Sequence, residues 1–319
     1  MNKHSFNAIN TLSVLDSGRG KSLDGKCAVY RVDDNEAKAV AAVFEGCGKY
    51  SEVEYAEFDN RSGANIGSRI AAAATLNWFN SDKCNFDDND ADRLRASIDL
   101  IMRKAKRELD YEGDNLFNKK AKNFNTSATV CAVDYYNDDS AICEFLWAGN
   151  CRGYVLDGYG LCQLTEDDVN GPQDAFANRA RGAKLVNVIN ADVDYTMNFR
   201  RISITDPMML ITATTAAFDD FGSPMEFEYA ILYALIKSKN IAEWENRLTG
   251  IIKQYADDDF SMTVMSVGFD DFDHMKKHYE PRIKQLIEEY IRTLNAARKG
   301  EAKVNIRSLW NRYKNGYYR

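Results

Sequence analysis

Carboxylates stand where strand-like runs meet turns: Asp24, Glu45, Asp219, Asp220 and the triplet Asp257-Asp258-Asp259. Glu45 closes the apolar run "VAAVFEG" and is followed by Gly46, Cys47 and Gly48. Acids gathered at strand ends beside an exposed Gly carbonyl suit a hard divalent cation such as Mg²⁺ or Mn²⁺. Taken singly, each reads more readily as a solvated turn acid than as a ligand. Other chemistry-bearing residues are sparse. The three histidines, His4, His274 and His278, lie near the ends of the chain. That excludes a Ser-His-Asp triad or a His-rich zinc site in the body. No two cysteines have zinc-finger or redox spacing, and "GRGKS" is too short for a P-loop. The acidic stretch "NFDDNDADR" lacks the Gly and closing Glu of a calcium loop and reads as a helix start.

The elements that must position these acids follow from periodicity. "KCAVYRVD" and "KAVAAVFEG" flank "DNEA", which predicts a hairpin of two strands. "SGANIGSRIAAAATLNWF" and "ADRLRASIDLIMRKAKREL" carry apolar residues at helical spacing, with Ile98, Ile101 and Met102 on one face of the second. "SATVCAVDYY", "AICEFLWAG", "CRGYVLDG" and "LCQLT" predict an antiparallel meander, since the gaps between them are too short for βαβ crossovers. Residues 166–198 read as a surface flap. Strands return in "RRISITDPMMLITATTA", followed by helices "SPMEFEYAILYALIKSK" and "AEWENRLTGIIKQYA", then a closing strand "SMTVMSVGF". Strand runs interleaved with helix pairs predict an α+β fold: two antiparallel β-sheets packed as a sandwich, flanked by helices.

At 319 residues and 45% apolar composition, the chain can bury a large core. We expect one body over residues 1–272 and a basic helical extension over 273–319. The formal charge of −7 conceals this division. Residues 274–319 hold twelve Lys/Arg against four Asp/Glu, whereas the rest carries 29 basic and 44 acidic residues. So acidic a body disfavours nucleic acid. The extension has Ile283, Leu286, Ile287, Tyr290, Ile291 and Leu294 at helical spacing, a stripe for packing on its own body or on a partner. No run spans a bilayer, no signal segment opens the chain, and seven scattered cysteines do not form a secreted framework; a cytoplasmic protein is expected.

From about residue 13 to residue 269 the order of these pieces resembles the metal-dependent PPM (type 2C) protein serine/threonine phosphatases. That family's motifs are an Arg ahead of Asn-Glu-Asp, a strand into Ala-Asp-Gly-x-Gly, and a helix opening G-x-x-x-[AS]-S. Gly-Asp-Ser-Arg, Leu-Thr-x-Asp-His, Ser-Asp-Gly and Asp-Asn-x-Thr follow. Here "GRGKSLDGKCAVYRV", "VAAVFEGCG", "GANIGSRIAAA", "WAGNCRGYVLDGYGLCQLTEDDV", "MLITATTAAFDDF" and "DDFSMTVMSV" stand at those stations. The resemblance implies two Mn²⁺ or Mg²⁺ ions activating a water for attack on phosphoserine or phosphothreonine. Carried over by position, Arg19 would hold the phosphate and Asp24 would be the Asp of Asn-Glu-Asp. Glu45 would replace the bridging metal Asp, Gly46 would supply a carbonyl ligand and Asp258 the final metal ligand.

The departures fall on the metal centre. Leu23 replaces the Glu of Asn-Glu-Asp, Thr215 the Asp of Ser-Asp-Gly and Asn150 the Asp of Gly-Asp-Ser-Arg, while Asp259 takes the Asn position. Three of five core acids then remain, Asp24, Glu45 and Asp258, too little negative charge to hold two divalent ions well. Glu45 is also one methylene longer than Asp, and displacements near 1 Å cost on the order of 100-fold in rate. Asp219 or Asp220 could serve as substitute ligands. The leading expectation is an inactive or weakly active phosphatase homologue that binds Mn²⁺ or Mg²⁺ weakly or not at all. It would work by binding a phosphorylated protein or a regulatory partner, with no nucleic acid or membrane involved. The alternatives are an active Mn²⁺/Mg²⁺-dependent serine/threonine phosphatase and an assembly module docking through the basic tail.

Overall fold

The computed structural model describes residues 10–16, 25–33, 37–47, 54–81, 83–109, 124–137, 140–179, 184–300 and 305–319. The chain opens with strands β1 (Asn10–Asp16), β2 (Lys26–Asp33) and β3 (Lys38–Gly46). A small ribbon of β4 (Glu54–Tyr55) and β5 (Arg61–Ser62) leads into helices α1 (Gly63–Asn80) and α2 (Asp90–Leu109). Strands β6 (Thr126–Asn137), β7 (Ser140–Ala148), β8 (Arg152–Asp157) and β9 (Gly160–Gln163) precede a short helix, α3 (Ala175–Arg179). Next come β10 (Asn198–Ile204), β11 (Met208–Ala213), α4 (Thr215–Phe218), α5 (Pro224–Ile236), α6 (Ile241–Tyr255) and β12 (Phe260–Val267). The extension forms α7 (Phe272–Leu286), a wide π turn over Ile287–Ile291, α8 (Arg292–Arg298) and α9 (Ile306–Tyr317).

Two five-stranded antiparallel sheets result, ordered β10-β7-β6-β3-β2 and β1-β12-β11-β8-β9. The expected sandwich is present. The expected meander is instead two hairpins on different sheets, because β6-β7 belongs to the first and β8-β9 to the second. The sequence reading also passed over β1, which pairs along β12 from Asn10 to Asp16. The period-2 pattern explains why central strands bury both faces. On β3, Val40, Ala42 and Phe44 face α1 and α2, while Ala39 and Ala41 face the other sheet. On β12, Phe260, Met262 and Val264 join the cluster under α5 and α6, while Met265 and Val267 point into the sandwich.

Residues 166–198 are only partly a surface flap. Val188, Ile189, Tyr195 and Met197 are buried, with Ile189 exchanging backbone hydrogen bonds with Thr126. The tail's apolar stripe is covered by the body: Met275, Tyr279, Ile283, Leu286, Tyr290 and Leu294 belong to the α5–α6 cluster. Trp310, Tyr313 and Tyr317 of α9 join it, and Glu228 of α5 accepts from Arg282 and Tyr313. None of the seven cysteines, all of them described, forms a disulfide, and no helix among the described residues is long and apolar enough to cross a membrane.

Candidate functional site

Five chain segments meet at one end of the sandwich: the start of β2, the end of β3, the start of β8, the turn from β11 into α4, and the residues entering β12. Antiparallel registry does the positioning. Counting outward from Asp33 opposite Lys38 brings Lys26 directly opposite Glu45. Across the second sheet, Ala213 lies opposite both Arg152 and Met262, so Thr215 and the Asp258-Asp259 step arrive together. Thr214 fixes that arrival: its N–H and its hydroxyl both donate to the Ser261 carbonyl, at 2.9 and 3.1 Å. Gly46 is needed for close approach, since a Cβ there would stand 2.4 Å from the Ala64 Cβ at the start of α1.

Glu45 is the centre of the site, buried at 8% exposure. The Thr215 N–H donates to its Oε2 at 2.9 Å, and the Thr215 hydroxyl reaches both carboxylate oxygens at 2.8 Å. The Cys151 thiol donates to Oε2 at 3.8 Å, and the Lys26 ammonium lies 3.4 Å from Oε1. Burial raises the Cys151 pKa well above its ordinary value, with Glu45 adding to it, so the sulfur keeps its proton and acts as a donor. Lys26 is itself buried, and its Nζ donates to Asp258 Oδ2 at 2.7 Å and to the Asp259 carbonyl. Burial opposes the Lys26 charge, but Glu45 and Asp258 outweigh it and hold the pKa above the usual lysine value. The other oxygen of Asp258 accepts from the Asp259 N–H at 2.8 Å.

The structure therefore brings Glu45, Thr215 and Asp258 together around Lys26. Arg19, Leu23 and Asp24 lie outside the described residues. Gly46 takes its expected place, its N–H donating to the Gly25 carbonyl at 2.6 Å. Asp219 is directed to Arg152, 3.9 Å from a guanidinium nitrogen, and Asp220 accepts from the Asp257 N–H at 3.0 Å. Two residues in the centre escaped the sequence reading, Lys26 and Cys151. Lys26 was legible from the hairpin count, and Cys151 from its seat one residue after Asn150.

Among the described residues, the donor set around Glu45 does not fit a divalent metal. Metal ligands must present lone pairs, and an ionised carboxylate has about four acceptor sites. Those of Glu45 face a backbone N–H, a hydroxyl, a thiol and an ammonium. Where the resemblance implies an Asp ligand, Thr215 supplies a proton donor instead. A cation entering here would also meet the fixed positive charge of Lys26. Among the described residues, no three His, Cys, Asp or Glu side chains converge as a metal-holding group.

Beside this centre, Arg152 forms a bidentate pair with Asp167, at 2.9 and 2.6 Å, both residues being buried. The Arg152 guanidinium also lies 4.3 Å from the centre of the Phe218 ring. Burial opposes its charge, and Asp167 more than compensates. Asp168, the next residue, accepts from the Gly149 N–H and from the Asn187 and Asn198 amides, tying the flap to the strand ends.

Two packed five-stranded antiparallel sheets, helices on both outer faces and converging strand ends define the fold of the PPM-type serine/threonine phosphatases. Solved structures with this fold include the catalytic domain of the serine/threonine protein phosphatase PstP in complex with two manganese ions. It is 16% identical, with a TM-score of 0.54 over 81% of this chain and 98% of that one. The serine/threonine phosphatase Stp1 from Staphylococcus aureus gives 13% identity and a TM-score of 0.58 over 82% and 95%. PppA, a regulatory component of T6SS in Pseudomonas aeruginosa, gives 12% and 0.52 over 81% and 97%. No protein-family model and no curated protein matches the sequence.

Proposed function

We propose that this PPM-fold protein acts by binding a partner protein rather than by hydrolysing a phosphoester. One observation carries the reading: the carboxylate at the bridging position, Glu45, has its acceptor sites occupied by donors from the chain itself. Water activation in this fold needs electrophilic metal at that carboxylate, and the residues around it do not offer a place for one. The partner class is a phosphorylated protein segment or regulatory protein. Arg19, the phosphate-holding position by resemblance, is the residue through which a phosphoserine would be read, because its fork matches phosphate oxygens.

The experiment pairs an activity assay with a binding assay on the full chain. Para-nitrophenyl phosphate and a phosphoserine peptide are incubated with excess Mn²⁺; no turnover above the protein-free rate is expected. The same peptide is titrated calorimetrically, and Arg19→Ala is expected to weaken its binding at least about tenfold, a charged hydrogen bond contributing about 1.5–3 kcal/mol. Mn²⁺-dependent turnover abolished by Asp258→Ala would overturn the reading in favour of an active phosphatase. Unchanged affinity in Arg19→Ala would remove phosphate from the recognition and leave a partner read by another surface.

A further inference from the structure

Lys26 stands on β2, Glu45 closes β3 in the same sheet, and Asp258-Asp259 lead into β12 in the other. The ammonium has three N–H bonds, and three acceptors surround it: the Glu45 carboxylate, the Asp258 carboxylate and the Asp259 carbonyl. Two carboxylates and a backbone carbonyl converging from two sheets make the kind of oxygen set that collects a hard cation. Here the cation is covalently attached. We propose that the Lys26 ammonium replaces a divalent ion as the counter-charge that clamps the two sheets together at this end, making the centre independent of metal. This deepens the preceding reading and rests on it only for the choice of site.

The clamp joins the start of β2 and the end of β3 in one sheet to the residues entering β12 in the other. Glu45 is almost wholly withdrawn from water, whereas the Asp258 side chain is largely exposed, so Glu45 is the carboxylate that needs a cation and Asp258 is the arm by which that cation reaches the second sheet. A tethered ammonium supplies it with no loss of translational freedom on binding. Its position in register with Glu45 aims it without a loop rearrangement.

The test follows thermal unfolding of the full chain with EDTA and with millimolar Mn²⁺. The native protein is expected to unfold at the same temperature in both. Lys26→Met should unfold about 5–10 °C lower in EDTA, the scale for stranding a buried charge in a chain of this size. Excess Mn²⁺ should recover part of that loss, because the vacated acceptors then face an ion of the correct sign. Three results would overturn the clamp: a native protein stabilised by Mn²⁺, a Lys26→Met variant as stable as the native chain, or one that Mn²⁺ leaves unchanged. If Lys26→Met does not fold, the double variant Lys26→Met with Glu45→Gln removes both charges and should fold, indifferent to Mn²⁺; its failure to fold would also overturn the proposal. Absence of turnover in the native protein bears on the preceding section alone, so the two readings fail separately.

Discussion

Neighbouring residues at the start of β8 serve two buried carboxylates in contrasting ways. Cys151 gives a weak thiol donor to Glu45, which collects its remaining donors from two other segments, Lys26 on β2 and Thr215 at the start of α4. Arg152 gives Asp167 two parallel N–H bonds from one rigid guanidinium. Both residues fall in the segment that resembles Gly-Asp-Ser-Arg, and Asp167 falls in the one that resembles Leu-Thr-x-Asp-His. The Arg and the second Asp keep their types, whereas Asn150 and Cys151 do not. The contrast separates two demands on the same strand ends. The Arg152–Asp167 pair ties the start of the flap to the start of β8 through one rigid fork. Around Glu45 the same strand ends bring several separate donors, Lys26, Cys151 and Thr215, onto one carboxylate.

The largest expected effect breaks the stronger side of that comparison. Arg152→Ala leaves Asp167 charged and buried with its two best donors gone, a loss of about 3–5 kcal/mol. Urea unfolding measures it, and a loss below about 1 kcal/mol would show the pair to be dispensable. Gln163, which donates to Asp167 at 3.3 Å, is too distant a donor to replace a guanidinium.

A third buried carboxylate sharpens the contrast, because it has neither kind of donor set in full. Glu144 on β7 pairs with Arg201 at 2.7 Å, yet its Oε2 has no hydrogen-bond partner. Burial raises its pKa to about 8 from the ordinary 4.5, Arg201 opposing the rise and Asp90 adding to it. The folded chain therefore holds a proton that the unfolded chain releases above its ordinary pKa. Stability should fall as pH rises from about 4.5 to about 8. The slope from this group is at most about 1.4 kcal/mol per pH unit. Glu144→Gln should flatten that slope in urea unfolding between pH 5 and pH 8; an unaltered slope would assign the pH dependence elsewhere.

The sandwich was legible because its strands are short, largely apolar runs and the turns between them are short. Counting along "KCAVYRVD-DNEA-KAVAAVFEG" is enough to set the β2–β3 register, and with it the Lys26–Glu45 pair. What sequence reasoning could not supply was the partition of β6-β7 and β8-β9 between sheets. The strands look alike, and only the turn at Gly149, with a φ of +102°, sends the chain across. The flap's buried half was missed because Val188, Ile189, Tyr195 and Met197 have no regular spacing. Among the site residues, the acids drew attention because acids are what a metal centre needs. Lys26 and Thr215 mattered as donors, a role visible only when their distances to Glu45 are known.

The smallest effect tests whether Thr215 is a lost ligand or a working donor. Its hydroxyl reaches both Glu45 oxygens, and its N–H reaches one. Thr215→Val keeps the shape and the backbone donor and removes only the hydroxyl. A hydrogen bond to a charged group is worth about 1.5–3 kcal/mol, but Glu45 retains Lys26, Cys151 and the Thr215 N–H, so a loss at the lower end, about 1.5 kcal/mol, is expected in urea unfolding. Thr215→Ser restores the hydroxyl and should recover most of it. If Ser loses and Val does not, packing of the threonine methyl explains the residue and Glu45 does not need its proton. If Val alone loses, the hydroxyl is part of what compensates a carboxylate withdrawn from water, and Thr215→Asp should be the worst of the three, since it sets a second carboxylate against Glu45 with the ammonium already engaged.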